Sequence, residues 1–293
     1  LYVARFNADG SGEWIELTLA DSRIAGYNKD GFSFASQAEV LVFARLAADA
    51  VGATKMDRPE WASVNPLNGD VYVTLTNNSS SNRTPATADA ANPRSYNDPD
   101  GKKGSGNPNG HIIRFKEAGA TSAATSFTWD IFLFGAEEDS VDAVNISKLT
   151  SANSFSSPDG LWFSRSTPGL LWIQTDDGAF TDETNCMLLA TVPGSVGDGG
   201  EFMVGNNLTV TAGTTTGETR TFVGGLLGES RLRRFLVAPK GAEVTGLTET
   251  ADGKALLVNI QHPGENTAKI GTASNFTFES QWPGNGGGLT SGG

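Results

Sequence analysis

Three acidic side chains stand at matching places in three similar segments of the sequence. Glu60, Asp159 and Glu243 each open an apolar run that leads through a glycine-containing turn into a second apolar run. Nine, ten and ten residues separate these carboxylates from their turn glycines. Carboxylates that meet at one point repel each other strongly unless cations lie among them. If the three segments converge, they predict a metal site built from oxygen ligands.

Arg58 precedes Glu60 by two residues, so on a strand the two side chains share a face. A simple surface ion pair is one explanation of this spacing. In the other explanation, Glu60 binds a hard cation and Arg58 donates two N–H groups to the paired oxygens of an anionic ligand. Lysine cannot reproduce that forked geometry. The spacing alone leaves both explanations open.

Polar residues follow the second apolar run of the first two segments. Asn77 and Asn78 follow the first of these runs, and Asp176 and Asp177 follow the second. Amide and carboxylate oxygens are calcium ligands, so Asn77 and Asp176 are candidate metal ligands. These residue types are also common where strands end and turns begin.

The remaining candidates have ordinary explanations as well. Asp159 precedes a glycine, and Asp-Gly is a favoured turn dipeptide. Glu243 lies between two apolar residues, which favours a ligand over a plain solvent-exposed side chain. His111 and His262 show no spacing typical of a zinc site. We expect His262 to be a hydrogen-bonded structural residue.

Most of the chain consists of short apolar runs bounded by Gly, Asn, Asp or Pro, which predicts β-strands joined by hairpins. Repeated strand–turn–strand units predict an all-β fold of the β-propeller class. The marked segments recur after 99 and 84 residues, so they open either alternate blades or blades that carry insertions. The innermost strands of a propeller start at the same end of the central channel. The propeller therefore predicts that the three carboxylates converge.

A few regions depart from this pattern, although we expect residues 1–293 to form one propeller domain or part of one. The apolar stripe of residues 37–50 predicts a helix, or a strand that continues into a short helix. Residues 79–108 read as a long polar insertion loop, and residues 194–217 as an outer hairpin of a blade. Residues 284–293 read as a flexible tail. The helical stripe consists of Val40, Val42, Leu46 and Val51.

The composition excludes several function classes. Twenty-one Lys and Arg face thirty-three Asp and Glu, and the net charge of −12 argues against nucleic acid or an anionic membrane as partner. The single cysteine, Cys186, excludes an internal disulfide framework and a paired-cysteine zinc site. The sequence has no apolar run long enough to span a bilayer. It also lacks the nucleophile-elbow, Walker and zinc-protease motifs.

Ordered motifs over nearly the whole chain resemble the PhoX-type alkaline phosphatases. The motifs are ATKMDRPEW at 53–61, VNP at 64–66, TLTNN at 74–78, NPR at 92–94, GHIIR at 110–114, SPDGLW at 157–162, IQTD at 173–176, GAEVTG at 241–246 and VNIQHPGE at 258–265. The resemblance implies a six-bladed propeller that is exported in folded form and hydrolyses phosphate esters with iron and calcium ions. It implies that Arg58 contacts phosphate, and that Glu60, Asp159 and Glu243 bind metal.

The resemblance also implies what this chain does not carry. The iron-ligating cysteine and further metal-binding acids of the family lie in an N-terminal half that has no counterpart here, and Cys186 does not match that cysteine. We therefore expect a fragment or processed product with about four blades. The first functional hypothesis is a secreted or periplasmic metal-dependent phosphatase that acts on small phosphate esters.

A rival hypothesis is a non-catalytic propeller fragment or binding module without a complete metal site. We expect the isolated chain to be weakly active or inactive. We also expect an unpaired strand edge through which chains associate.

Overall fold

The computed structural model describes residues 1–98, 104–176, 184–268, 271–272, 275–276 and 278–284. Asp177 and residues 285–293 of the expected tail lie outside this part of the chain. The strands, in chain order, are β1 (Tyr2–Phe6), β2 (Ser11–Glu16), β3 (Pro59–Val64), β4 (Val71–Leu75), β5 (Asn78–Ser79), β6 (Tyr96–Asn97), β7 (Ser105–Asn107), β8 (His111–Glu117), β9 (Ser126–Phe134), β10 (Pro158–Phe163), β11 (Leu171–Thr175), β12 (Met187–Thr191), β13 (Gly200–Val210), β14 (Gly213–Val223), β15 (Leu232–Val237), β16 (Glu243–Glu249), β17 (Leu256–Gln261), β18 (Gly271–Thr272) and β19 (Asn275–Phe276).

Two antiparallel groups of four strands have the strand order of propeller blades. The first blade, β3-β4-β8-β9, is part of an eleven-stranded sheet, and the second blade, β10-β11-β12-β15, is a separate four-stranded sheet. Strands β16 and β17 pair with each other and form a third unit of the same kind. The innermost strands lie side by side, because β10 packs against both β3 and β16. Sheets whose first strands face a common axis are the arrangement of a β-propeller, and the all-β prediction is confirmed.

The three marked segments open consecutive blades. Insertions lengthen the chain between them: residues 76–110 separate β4 from β8, and the long hairpin of β13 and β14 lies between β12 and β15. The blades are therefore insertion-bearing and not alternate, and the predicted hairpin around residues 194–217 is confirmed. The expectation of about four blades is wrong for the described residues. Residues 1–56 form a hairpin and helices, so two four-stranded blades and the paired β16 and β17 remain.

The predicted helix is present but broken. The helices are α1 (Ser22–Ala25), α2 (Gln37–Val42), α3 (Ala44–Val51) and α4 (Gly228–Arg231), with a short 3₁₀ turn at Ala118–Ala120. Phe43 interrupts the helix between α2 and α3 with a φ of −99° and a ψ of 42°. Val40 and Val51 are buried as the apolar stripe predicts, whereas Val42 is exposed because two residues along a helix span about 200° and place it on the face opposite Val40. The alternative of a strand in this region is wrong.

The main hydrophobic core lies between the first two blades. Aromatic and aliphatic side chains of β4, β8 and β9 pack against those of β10, β11 and β12, among them Tyr72, Ile112, Phe132, Leu161 and Ile173. Burying side chains of this size stabilises the fold by about 1.5–3 kcal/mol each. This core fixes the relative position of β3 and β10, and therefore of the residues at their starting ends.

The polar insertion packs against the first blade. Its described part contains β5, β6 and β7, and the guanidinium group of Arg94 is buried within it. Arg94 donates hydrogen bonds of 2.8 Å to the carbonyl oxygens of Gly135 and Val144. Gly110 allows the close crossing beside it, because a Cβ there would lie 2.0 Å from the carbonyl oxygen of Thr76.

In the described part of the chain, every helix is too short or too polar to cross a lipid bilayer.

Candidate active site

The three inner strands begin with the same backbone conformation. The residue two positions before each carboxylate has a positive φ: 48° at Arg58, 50° at Ser157 and 67° at Gly241. For residues other than glycine this left-handed conformation is uncommon and is found where the surrounding structure enforces it, often at functional sites. It turns the chain into the strand at the same point in three blades.

Each inner strand also carries a β-bulge next to its carboxylate. A bulge bends a strand and changes the direction of its side chains. The register with the second strand of the blade shifts between Pro59 and Ala62, between Pro158 and Leu161, and between Val244 and Gly246. Glu60 and Asp159 lie inside the first two bulges, and Glu243 lies just before the third.

Asp159 belongs to a strand and not to a turn. It is the second residue of β10, so the turn interpretation of Asp159 and Gly160 is wrong. A Cβ at Gly160 would lie 2.5 Å from the side-chain nitrogen of Gln174, so a larger residue there would displace the end of that side chain.

Arg58 connects the first two blades. Its Nε lies 2.8 Å from Oε1 of Glu60, as their spacing predicts, and its terminal nitrogen lies 2.9 Å from Oδ2 of Asp176, which follows β11. Burial opposes the charge of Arg58, but the hydrogen bonds and charges of these two acids outweigh it, so its pKa is raised. About half of the Arg58 side chain remains exposed, which leaves N–H groups for a ligand.

Glu60, Asp159, Asp176 and Glu243 form a carboxylate cluster at the starting ends of β3, β10 and β16. Burial, followed by the negative charges of Glu60 and Asp176, raises the pKa of Asp159 to about 6. Burial, a hydrogen bond with Asp176 and the charge of Asp176 raise the pKa of Glu243 to about 7. The structure thus brings together four of the candidate ligands and Arg58. Their roles as ligands stay a prediction.

Glu243 is held by residues at the end of β17. Nε2 of His262 lies 3.2 Å from Oε1 of Glu243, and the side-chain nitrogen of Gln261 lies 3.3 Å from Oε2. Glu265 lies 3.5 Å from the other ring nitrogen of His262. Burial lowers the pKa of His262, but the charge of Glu243, the hydrogen bond with the Gly241 backbone and the charge of Glu265 together outweigh it, so the pKa is raised. Ligand atoms of Glu243, His262 and Glu265 all lie within 4.8 Å of one another.

His262 is hydrogen-bonded as expected, and its contact with Glu243 also places it beside the carboxylate cluster. It directly follows β17, the second strand of the third segment, just as Asp176 directly follows β11 in the second. The sequence shows that His262 and Asp176 occupy equivalent positions. The expectation that a single histidine has a structural role directed attention away from this equivalence. His111, in contrast, is buried away from solvent, where its ring nitrogens contact Asn107 and the carbonyl oxygen of Ala91.

Asn77 lies at the same end of the first blade. It is half-buried, two residues beyond the end of β4. The preceding residue, Thr76, donates a hydrogen bond of 3.0 Å from its backbone nitrogen to the carbonyl oxygen of Arg58. The assignment of Asn77 as a calcium ligand stays a prediction.

The donor set of this site fits hard cations. Burial and the neighbouring negative charges raise the pKa values of Asp159 and Glu243, so bound cations would be favoured at this cluster as an alternative to bound protons. Carboxylate oxygens are the ligands that calcium prefers, and a histidine nitrogen beside carboxylates suits iron.

Comparison with known proteins identifies the family. The model of the family described as "Alkaline phosphatase PhoX" matches residues 1–264. The chain belongs to the PhoX alkaline phosphatase family. A solved structure, described as Pseudomonas fluorescens PhoX in complex with vanadate, a transition state analogue, is 34% identical to this PhoX-family chain with a TM-score of 0.59. No curated protein matches the sequence significantly.

The PhoX-family chain is shorter than that relative. The match covers 92% of this chain and 40% of the Pseudomonas chain. The family assignment confirms the resemblance inferred from the motifs, and the propeller architecture agrees with the PhoX fold.

Proposed function

We propose that this protein takes part in the metal-dependent hydrolysis of phosphate esters, with release of inorganic phosphate. The observation that carries the proposal is the meeting of Arg58 with the carboxylate cluster at one end of three consecutive inner strands. The arginine supplies hydrogen-bond donors for the phosphoryl oxygens, and the neighbouring carboxylates supply ligands for cations. Metal-dependent phosphoryl transfer uses both kinds of group.

In this proposal Arg58 binds and orients the phosphoryl group. Glu60 and Asp176 hold two of its nitrogens, so the direction of the guanidinium group is fixed before a ligand arrives. The exposed N–H groups then donate to the equatorial oxygens and stabilise the charge that develops there. Preorganisation of this kind avoids reorienting the donors during the reaction.

Glu60, Asp159, Asp176 and Glu243 would hold the cations, with Asn77 as a further calcium ligand. We assign calcium and iron to the site because the donors are mainly oxygens with one neighbouring histidine. When bound, these ions polarise the phosphoryl group and reverse the local negative field. His262 would keep Glu243 oriented toward the cations through its contact of 3.2 Å.

The proposed substrates are small phosphate esters, and the proposed location is outside the cytoplasm, in the periplasm or secreted. The acidic surface, with a net charge of −12, disfavours nucleic acid as a specific partner. Strand β17 pairs with β16 alone among the described residues, so its other edge is open to association with a further strand.

Turnover of a chromogenic phosphomonoester tests the proposal. The chain is loaded with calcium and iron, assayed, treated with a chelator and assayed again, with Glu60→Gln and Arg58→Lys in parallel. Turnover that the chelator abolishes and that both substitutions reduce supports the phosphatase. Vanadate binding in competition with inorganic phosphate gives a second readout that does not depend on the rate.

The rival function is a non-catalytic propeller module. It is favoured by the share of the Pseudomonas chain that this chain spans, 40%. A well-folded chain that binds calcium and phosphate without any turnover supports this alternative. A chain that binds neither contradicts both proposals.

A further inference from the structure

Asp57, next to Arg58 in the chain, is a buried carboxylate outside the site described above. Its side chain is fully buried. Three side chains donate to it: Asn78 at 2.8 Å, Arg83 through Nε at 3.0 Å and a terminal nitrogen at 2.8 Å, and Asn107 at 3.1 Å. A buried charge is retained only where partners of this kind compensate for its lost hydration.

All of these donors lie in the loop that connects β4 to β8, most of them within the polar insertion at 79–108. The same loop also holds the backbone. Asn92 accepts a hydrogen bond of 2.9 Å from the backbone nitrogen of Asp57 and donates one of 2.8 Å to the carbonyl oxygen of Lys55. The insertion therefore holds the backbone of residues 55 and 57 and the side chain of Asp57. These residues lie immediately before Arg58 in the chain.

Arg58 needs this support because its backbone is strained. It has a φ of 48° and precedes a proline, two conditions that disfavour its conformation. Its carbonyl oxygen accepts from the backbone nitrogen of Thr76, which completes the connection to β4. A relaxation of the backbone at Arg58 would move its guanidinium group away from Glu60 and Asp176.

We propose that Asp57 and the insertion around it are a positioning element that holds Arg58 in its strained, ligand-ready conformation. Asp57 touches no ligand in this assignment and acts only through Arg58. The insertion that reads as a long polar loop in the sequence then supports the site. This inference rests on the proposed role of Arg58 in phosphate binding.

The test compares Asp57→Asn with Asp130→Asn. Asp130 is an equally buried carboxylate of the same blade, paired with Arg114 at 2.7 Å, and it does not adjoin Arg58. The first readout is the affinity for vanadate and inorganic phosphate. We expect Asp57→Asn to weaken binding by about tenfold to a hundredfold, as misplacement of a positioning group does, and Asp130→Asn to leave it nearly unchanged.

The second readout is amide hydrogen exchange at Thr76, which does not depend on any activity. The hydrogen bond from Thr76 to the carbonyl oxygen of Arg58 has a counterpart in the second blade, from Asp176 to Ser157. We expect exchange at Thr76 to accelerate by about tenfold in Asp57→Asn while exchange at Asp176 stays constant. Equal acceleration at both amides, or none, overturns the inference.

A milder pair of variants covers the case in which Asp57→Asn fails to fold. Arg83→Lys keeps the buried positive charge but removes the two-nitrogen contact of the guanidinium group with Asp57. The control is Arg114→Lys, which changes the corresponding contact with Asp130. Loss of phosphate binding and faster Thr76 exchange in Arg83→Lys alone support the inference. If wild-type protein binds no phosphate, the proposed function fails, whereas the exchange readout still decides whether Asp57 positions Arg58.

Discussion

Arg58 and Asp176 are separated by 118 positions in the sequence and form an ion pair of 2.9 Å. The pair joins the start of β3 to the residue after β11, so it connects two blades at the end where the carboxylate cluster lies. Asp176 is also close enough to Glu243 of the third unit to help raise the pKa of that carboxyl group. Asp176 thus links Arg58 to the rest of the carboxylate cluster.

Replacing Arg58 by lysine is expected to weaken vanadate and phosphate binding by about tenfold to a hundredfold. Lysine retains the charge but loses the fork, and a hydrogen bond to a charged group contributes about 1.5–3 kcal/mol. Calorimetric titration measures the change. Arg5→Lys is the matched control, because Arg5 forms a surface ion pair of 2.7 Å with Glu13. An affinity of Arg58→Lys equal to that of the control would contradict the assignment.

The substitution Asp176→Asn is expected to lower the pKa of Glu243 in the metal-free chain below its value of about 7. The hydrogen bond and negative charge of Asp176 raise that pKa, and the neutral amide removes both effects while burial remains. Carbon-13 NMR titration of the Glu243 carboxyl group measures it. Asp142→Asn, at an exposed position, should leave the Glu243 titration unchanged.

Calcium binding is expected to weaken as the pH falls from about 8.5 to about 5.5. The pKa values of about 6 for Asp159 and about 7 for Glu243 mean that protons compete with the cation in this range. Calorimetry in buffers of different ionisation enthalpy should detect protons released on binding near pH 6.5. Glu243→Gln should release fewer protons. Calcium binding without proton release at that pH would indicate a site elsewhere.

Buried His111 is expected to make the fold sensitive to acid. Burial lowers its pKa to about 4, whereas an unfolded histidine titrates near 6.5. Between these values the unfolded state binds the additional proton. The contribution of His111 to stability is therefore complete above about pH 6.5 and is lost as the pH falls toward 4, with a slope of up to about 1.4 kcal/mol per pH unit.

Urea unfolding of wild-type protein and His111→Gln across this range isolates the effect, because all other titrating groups are common to both. The difference in the free energy of unfolding should shrink as the pH falls. A difference that stays constant from pH 7 to pH 4 would mean that His111 is not neutral in the fold.

The edge of β17 that faces away from β16, which has no partner strand among the described residues, is expected to support concentration-dependent association. Leu257 on this strand is exposed, and the strand pairs only with β16 in the described part of the chain. Leu257→Lys should reduce association in sedimentation velocity experiments, since charged residues on an edge strand oppose pairing. Leu67→Lys is the control, because Leu67 is equally exposed in the turn between β3 and β4. Equal effects of both variants would exclude the edge as the contact.

The sequence alone predicted the class of fold and that Glu60, Asp159 and Glu243 lie at the same end of the inner strands. Alternating apolar runs with glycine turns predicted strands, and the matching positions of Glu60, Asp159 and Glu243 predicted that inner strands would bring them to one end. These predictions depend on local periodicity and on equivalence between repeats, which a chain carries in its order of residues.

Only the tertiary structure decided how the site is assembled. Three features bring together residues that are far apart in the chain. They are the bulges that orient Glu60 and Asp159, the ion pair of Arg58 with Asp176, and the hydrogen bonds from the insertion to Asp57. Strand register and loop packing determine such contacts. The same reason applies to Asp57 and His262, whose partners are set by the fold around them and not by their own neighbours in sequence.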